Sequence, residues 1–135
     1  MKLSDFGWND RFDSLFNPYR NDNHIPARVV RVDRGSATVQ SATETVTAVA
    51  AGVLDSGGEP CPPAVGDWVV LDRDTDTAVV RAILPRVGVL SRRRPGSADH
   101  EQAVAANVDV VFIVESVERG PNPRRIERAV ALAWD

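Results

Sequence analysis

From residue 27 the apolar pattern of this chain settles into a period of two, and five short strand candidates follow at 27–32, 37–40, 44–51, 67–72 and 78–84. A period of two sends successive side chains to opposite faces of an extended strand, so each run can bury one face. Asp33, Arg34 and Gly35 make a turn that joins the first two runs as a hairpin. The third run is weakened by its alanines. Segment 55–63 holds two glycines and three prolines, which exclude regular structure and mark a long surface loop. Five short strands with turn signals at this spacing suit a small OB-like or SH3-like barrel over residues 27–90, and make the chain mainly β.

The flanks read differently. In the arm 1–26, Leu3, Phe6, Trp8, Phe12, Leu15 and Phe16 recur at mixed helical spacings. They predict a short amphipathic helix over 10–16, with Ser4 and Asp5 as its start signal. Its aromatics are expected to pack on the barrel, with a partner-binding helix as the second reading. Beyond Pro85, residues 91–107 read as a basic linker with a short helix over 99–106, capped by Ser97 or Asp99. Residues 108–114 form a continuous apolar run of the kind that lies inside a parallel sheet. Ile126, Val130, Ala133 and Trp134 then fall at helical spacing over 124–134. A strand followed by a helix needs a second parallel strand to return to, and none follows in the sequence. Residues 108–135 are therefore expected to be the strand-helix start of a truncated α/β domain. Lacking the rest of its sheet, 108–114 would present unpaired edges, inviting disorder, docking on the barrel or self-association.

Composition excludes several classes. A chain of 135 residues with 43% hydrophobic and 26% charged residues reads as soluble and globular. No run approaches the ~20 apolar residues of a membrane span, and 1–10 carries Lys2, Asp5 and Asp10 rather than a secretory signal. With a lone Cys61 as well, a cytoplasmic location and no membrane partner are expected. The net charge of −3 divides as −1 over 1–26, +1 over 27–97 and −3 over 98–135, so no segment is strongly basic. Of 16 basic residues, 15 are arginine and one is Lys2. Chemistry that needs an interior lysine is thereby excluded.

Candidate sites mostly fail on spacing. Asp72, Asp74 and Asp76 alternate like a calcium loop, but Thr77 and Ile83 occupy the positions of its glycine and glutamate, leaving a solvated hairpin tip. His100 and Glu101 open like a zinc-protease helix, but the second histidine would fall on Val104 and only His24 remains. Cys61, between Pro60 and Pro62, has no basic neighbour to activate it. No glycine is followed by lysine, so the phosphate-binding loop fails, and the Asn-Lys-x-Asp guanine signature fails likewise. No catalytic, cofactor-binding or metal-binding residue is assigned. Arginine is left to carry the interaction argument. Arg92, Arg93 and Arg94, with Arg86 nearby, suit bidentate phosphate contact, with a solvated linker as the second reading. Arg28, Arg31, Arg34, Arg73 and Arg81 add to them if the barrel brings loops 33–36 and 73–77 to one side. Trp68 is the one aromatic in 27–97 and is expected to fill the core. That argues against base-stacking capture of single strands and for recognition of folded RNA by shape and backbone.

Three motifs in order carry a resemblance. Ala64, Val65, Gly66, Asp67, Trp68 and Val69 form the first; Ala105, Ala106, Asn107, Val108 and Asp109 the second; Arg124, Arg125, Ile126, Glu127 and Arg128 the third. With 3–8, 26–30 and 84–86, they make the chain similar to the N-terminal part of the circularly permuted, small-subunit-dependent GTPases (the RsgA or YjeQ family). The resemblance implies an OB-fold domain ahead of a GTPase domain with permuted motifs, then a zinc-binding domain. It implies action late in small-subunit maturation, with the OB domain on ribosomal RNA near the decoding region. GTP, magnesium and zinc are implied only for a full-length member, because the phosphate loop, switch regions and zinc ligands have no counterpart in these residues. The leading expectation is thus an rRNA-binding, small-subunit-binding module of such a GTPase, inactive alone. The alternatives are a non-enzymatic OB or SH3-like protein-interaction domain docking through Trp8 and Phe12, and a GTPase completed in trans by a second polypeptide.

Overall fold

The computed structural model describes residues 1–52, 54–56, 59–74, 76–93, 96 and 101–134. Its barrel strands are β1 (His24–Asp33), β2 (Ser36–Gln40), β3 (Thr45–Ala50), β6 (Trp68–Asp72) and β7 (Ala78–Ile83). They close in the order β1-β2-β3-β7-β6. The β3–β7 pairing is parallel, and every other pairing in the ring, including β6 against β1, is antiparallel. This is the OB arrangement that the sequence pattern implies.

β6 explains why the barrel needs its arm. All five of its residues are buried, yet strand side chains alternate between faces. Val69 and Leu71 enter the barrel interior with Ala27, Val29, Val39, Ala48 and Val80. Trp68 and Val70 face outward into a second core made with Phe12, Phe16 and Leu84. The arm covers that outer face. Helix α1 (Asp10–Phe16) forms where the spacing predicts, but its start signal is Asn9, whose Oδ1 accepts from the amides of Arg11 and Phe12 at 3.1 and 3.3 Å. Ser4 and Asp5 belong instead to a separate 3-10 turn, Leu3–Phe6. Trp8 meets Trp68 edge to face, with ring centroids 4.8 Å apart.

Four local expectations are corrected. The Gly- and Pro-rich loop contains a two-residue ladder, β4 (Asp55–Ser56) with β5 (Glu59–Pro60), because an antiparallel turn tolerates proline where its amide faces out. The helix expected over 99–106 is not formed across 101–106; residues 99 and 100 and the cap candidates Ser97 and Asp99 lie outside the described residues. Residues Glu101–Ala106 are β9, paired antiparallel with β8 (Val89–Arg93), so part of the supposed linker 91–107 is a β-ribbon. Residues 108–114 form no strand and leave Val110, Phe112 and Val114 exposed. A strand exists only by pairing, and no described strand lies beside them. Finally, the register pairs His24 with Asp72 and Asp33 with Ser36, so loops 73–77 and 34–35 sit at opposite ends of β1. At ~3.3 Å per residue, roughly 30 Å of strand lies between those ends. Helix α2 (Pro123–Trp134) does form, with Pro123 in its first turn and Asn122 Oδ1 accepting from the Arg125 amide, and it lies against β8.

The ribbon is rooted at one tight contact. Gly66 adopts φ +93°, and a Cβ there would stand 2.1 Å from the Ala106 carbonyl oxygen. Gly66 donates its amide to Val29 O at 2.8 Å, while Ala106 donates to Val65 O at 2.8 Å. Only glycine accepts both the left-handed φ and the close approach. Gly66→Ala is therefore expected to destabilise the fold by about 2 kcal/mol or more, from backbone strain plus displacement of the ribbon. Urea unfolding of the two proteins side by side measures it; equal midpoints would remove this contact from the account.

Candidate nucleic-acid interface

Where each arginine is placed decides what its charge is free to do. Arg86 and Arg28 are both bound around the turn 64–67. Asp67 is fully buried, and Arg86 grips it with Nε on Oδ1 and Nη2 on Oδ2, both at 2.7 Å. Oδ2 also accepts from the Ala64 amide at 2.7 Å. The bond to Asp67 raises the Arg86 pKa above its ordinary value, with burial opposing it. Arg28 donates from Nε to Gly66 O at 3.2 Å, from Nη1 to Phe6 O and from Nη2 to Asn107 O at 3.0 Å. Its guanidinium carbon stands 5.5 Å from the Trp68 ring centroid. Burial lowers its pKa, partly offset by Asp109 and Asp67. These two side chains hold the fold together.

A second group lies at the opposite end of the barrel. Arg73 pairs with Glu44, and Arg81 Nε with Asp72 Oδ2 at 2.8 Å. Asp72 also accepts from the Asp74 amide at 2.9 Å, and His24 Nε2 stands 3.8 Å from its Oδ2. The Asp74 amide first, then Arg81, hold the Asp72 carboxyl below its usual range. The aspartates of this tip thus build a hairpin, and among the described residues no group of three His, Cys, Asp or Glu side chains is placed to hold a metal ion. The sequence likewise contains no glycine-lysine loop.

The third group remains available. Arg31 pairs with Asp33 at 2.9 Å on an exposed surface. Arg34 on the β1–β2 turn and Arg92 and Arg93 on β8 are exposed, and among the described residues none has an ion-pair partner. Arg94 lies outside the described residues. The eight described arginines therefore do not gather on one side of the barrel; they divide among the turn 64–67, the β6–β7 tip, the β1–β2 turn and the ribbon.

Sequence reasoning missed Asn107. It adopts φ +53°, accepts from the Val87 amide through Oδ1 at 2.8 Å and donates through Nδ2 to Gly66 O at 3.0 Å. Two of the three motifs thus touch each other, a link that sequence shows only as two separate motifs. The aromatic arm is also spent on packing: Phe12 is buried, and Trp8 is half-buried against Trp68.

No family model matches the chain. Among curated proteins, the small ribosomal subunit biogenesis GTPase RsgA of Syntrophotalea carbinolica is 41% identical, the alignment covering 100% of this chain and 40% of the relative. The protein of that name from Opitutus terrae is 37% identical over 98% of this chain and 40% of its own length. The chain therefore spans about 40% of the length of these relatives. Among solved structures, YjeQ from Thermotoga maritima superposes with a TM-score of 0.53 at 22% identity, covering 82% of this chain and 37% of that one. YloQ, described as a circularly permuted GTPase, gives 0.53 at 18% identity over 84% of this chain and 38% of its own. At such identities the two structures support the fold.

Two outcomes test the charge assignments. Asp67→Ala strands a buried guanidinium and is expected to cost about 3 kcal/mol, part of which Asp67→Ala with Arg86→Leu regains; urea midpoints of both variants decide it. Asp72 has a depressed native pKa, so its stabilisation is present above the unfolded aspartate value and is lost as pH falls through the native one. Melting temperatures followed from neutral pH into that acid range should fall more for the parent protein than for Asp72→Asn; parallel curves would dismiss the coupling.

Proposed function

The chain belongs to the RsgA family of small ribosomal subunit biogenesis GTPases, as its N-terminal part, and on that membership we propose that it is the module that holds such a GTPase on small-subunit ribosomal RNA. Identity of 37 to 41% along nearly the whole chain is the observation that carries the reading. The guanidiniums of Arg34, Arg92 and Arg93, exposed and without an ion pair among the described residues, support it physically. Phosphate contact needs arginines whose forks are not already filled by carboxylates or carbonyls. Arg94 continues the run in sequence and belongs to the same proposal. Arg28 and Arg86 serve it indirectly, by fixing the barrel, the arm and the ribbon relative to one another. Residues 108–135 enter a GTPase domain in this reading, and nucleotide chemistry is supplied there or by a domain in trans, not by these 135 residues. The setting is cytoplasmic; no helix among the described residues is long and apolar enough to cross a membrane.

The protein-interaction alternative draws on Trp8 and Phe12. Their packing against Trp68 leaves it little surface.

Co-sedimentation with small ribosomal subunits at two salt concentrations, with labelled GTP in the same samples, tests the proposal. Subunit binding that weakens with salt, without retained nucleotide, is the expected result. Replacing Arg92, Arg93 and Arg94 together by alanine should weaken it further. Binding insensitive both to salt and to these changes would sink the proposed contact, and nucleotide retained by the chain would overturn its separation from the catalytic part.

A further inference from the structure

Arg28 is held by three carbonyl oxygens and by no carboxylate. Its Nε, Nη1 and Nη2 donate to Gly66 O, Phe6 O and Asn107 O, and among the described residues it has no ion-pair partner. A guanidinium carries five N–H groups, so these bonds leave one hydrogen over on each Nη. Peptide dipoles alone are an incomplete environment for a half-buried cation, whose burial works against its charge. Arg28 lines a cleft of about 210 Å³ between the arm, β1 and the chain leaving β9, together with Trp68, Val87, Gly88, Asn107 and Asp109. Among the described residues of that lining, Asp109 is the one carboxylate. The buried Asp67 is also near enough to favour the Arg28 charge, but its oxygens are filled by Arg86 and the Ala64 amide.

We propose that Asp109 is the counter-ion of Arg28 and acts as a strap that sets the direction in which the chain leaves the barrel. The strap does not depend on the RNA-contact reading above. Asn107, two residues before Asp109, is pinned on three sides. Its Oδ1 accepts from the Val87 amide, its Nδ2 donates to Gly66 O, and its carbonyl accepts from Arg28. Asp109 therefore hangs within short reach of a fixed root, and it favours the Arg28 charge more than Asp67 does. Beyond it nothing of the kind holds the chain. Residues 108–114 form no strand, and Val110, Phe112 and Val114 are exposed, so no ladder dictates their course. Asp109 is itself exposed and, among the described residues, in no ion pair. Its carboxylate is thus available to close on the two spare hydrogens of Arg28, a fork that suits a carboxylate. The apolar walls that Trp68 and Val87 give the cleft strengthen that attraction. Once closed, one guanidinium joins the arm, the turn at Gly66 and the exit segment.

The test uses the full chain with nitroxide labels attached through Thr47→Cys on β3 and Phe112→Cys, both exposed positions, in a Cys61→Ser background. Double electron–electron resonance then reads the spread of distances between the barrel and the exit segment. At low salt the distribution should be narrow. Asp109→Asn should broaden it, the ratio of closed to open chain falling about threefold, as for one partly exposed ion pair. Asp109→Glu should keep it narrow, which separates charge from side-chain shape. Added salt should broaden the distribution of the parent and leave that of Asp109→Asn as it is. In nitrogen-15 spectra, Asp109→Asn should move the Nε–H signal of Arg28 and leave that of Arg86 in place. A parent distribution already broad at low salt, or one that Asp109→Asn leaves unchanged, overturns the strap. A signal that moves at Arg86 and not at Arg28 overturns the choice of partner.

Discussion

The carbonyl oxygen of Gly66 is the point on which three parts of the molecule converge. It accepts from Arg28 Nε and from Asn107 Nδ2. Through the other nitrogens of Arg28 it is tied to the arm at Phe6 and to the chain leaving the barrel at Asn107. Directly after it, Asp67 anchors Arg86 and through it the segment that follows β7. Buried polar groups stabilise only when their partners are all present, so this junction acts as a unit. Here barrel, arm and ribbon take one relative arrangement.

That junction also accounts for the uneven distribution of charge. An OB barrel of modest size has a small interior, and its alternating strands leave one outer face apolar where β6 carries Trp68 and Val70. The arm covers that face, and arginine stitches the arm down, since one guanidinium can serve several carbonyls at once. The arginines left without such duties stand on the β1–β2 turn, on β8 and on α2. Arginines that hold the fold and arginines open to solvent are therefore distinguished by their partners and not by residue type.

The RsgA relatives give these observations a common setting. A module that seats an enzyme on RNA, the role proposed for this chain, needs a rigid platform and a charged rim. Gly66, Asp67 and Asn107, which sequence presents as motif residues, serve the platform. None of them is placed to touch a ligand directly: Asp67 and Asn107 are buried, and Gly66 is packed under Ala106.

Several features could be read from the residues with no coordinates at all. The five barrel strands, helix α1, helix α2 and the burial of Trp68 each follow from local pattern, because periodicity acts within a few residues. The ribbon could not be read that way. Glu101–Ala106 is rich in helix formers, and its ladder with β8 overrides that preference. The sequence left 108–114 open between a strand and an unpaired apolar run, since being a strand depends on a neighbour and not on an apolar run alone. The division of the arginines was equally hidden: whether a guanidinium meets Asp67, three carbonyl oxygens or only water is set by chain segments tens of residues apart. Such contacts exist only once the barrel has closed.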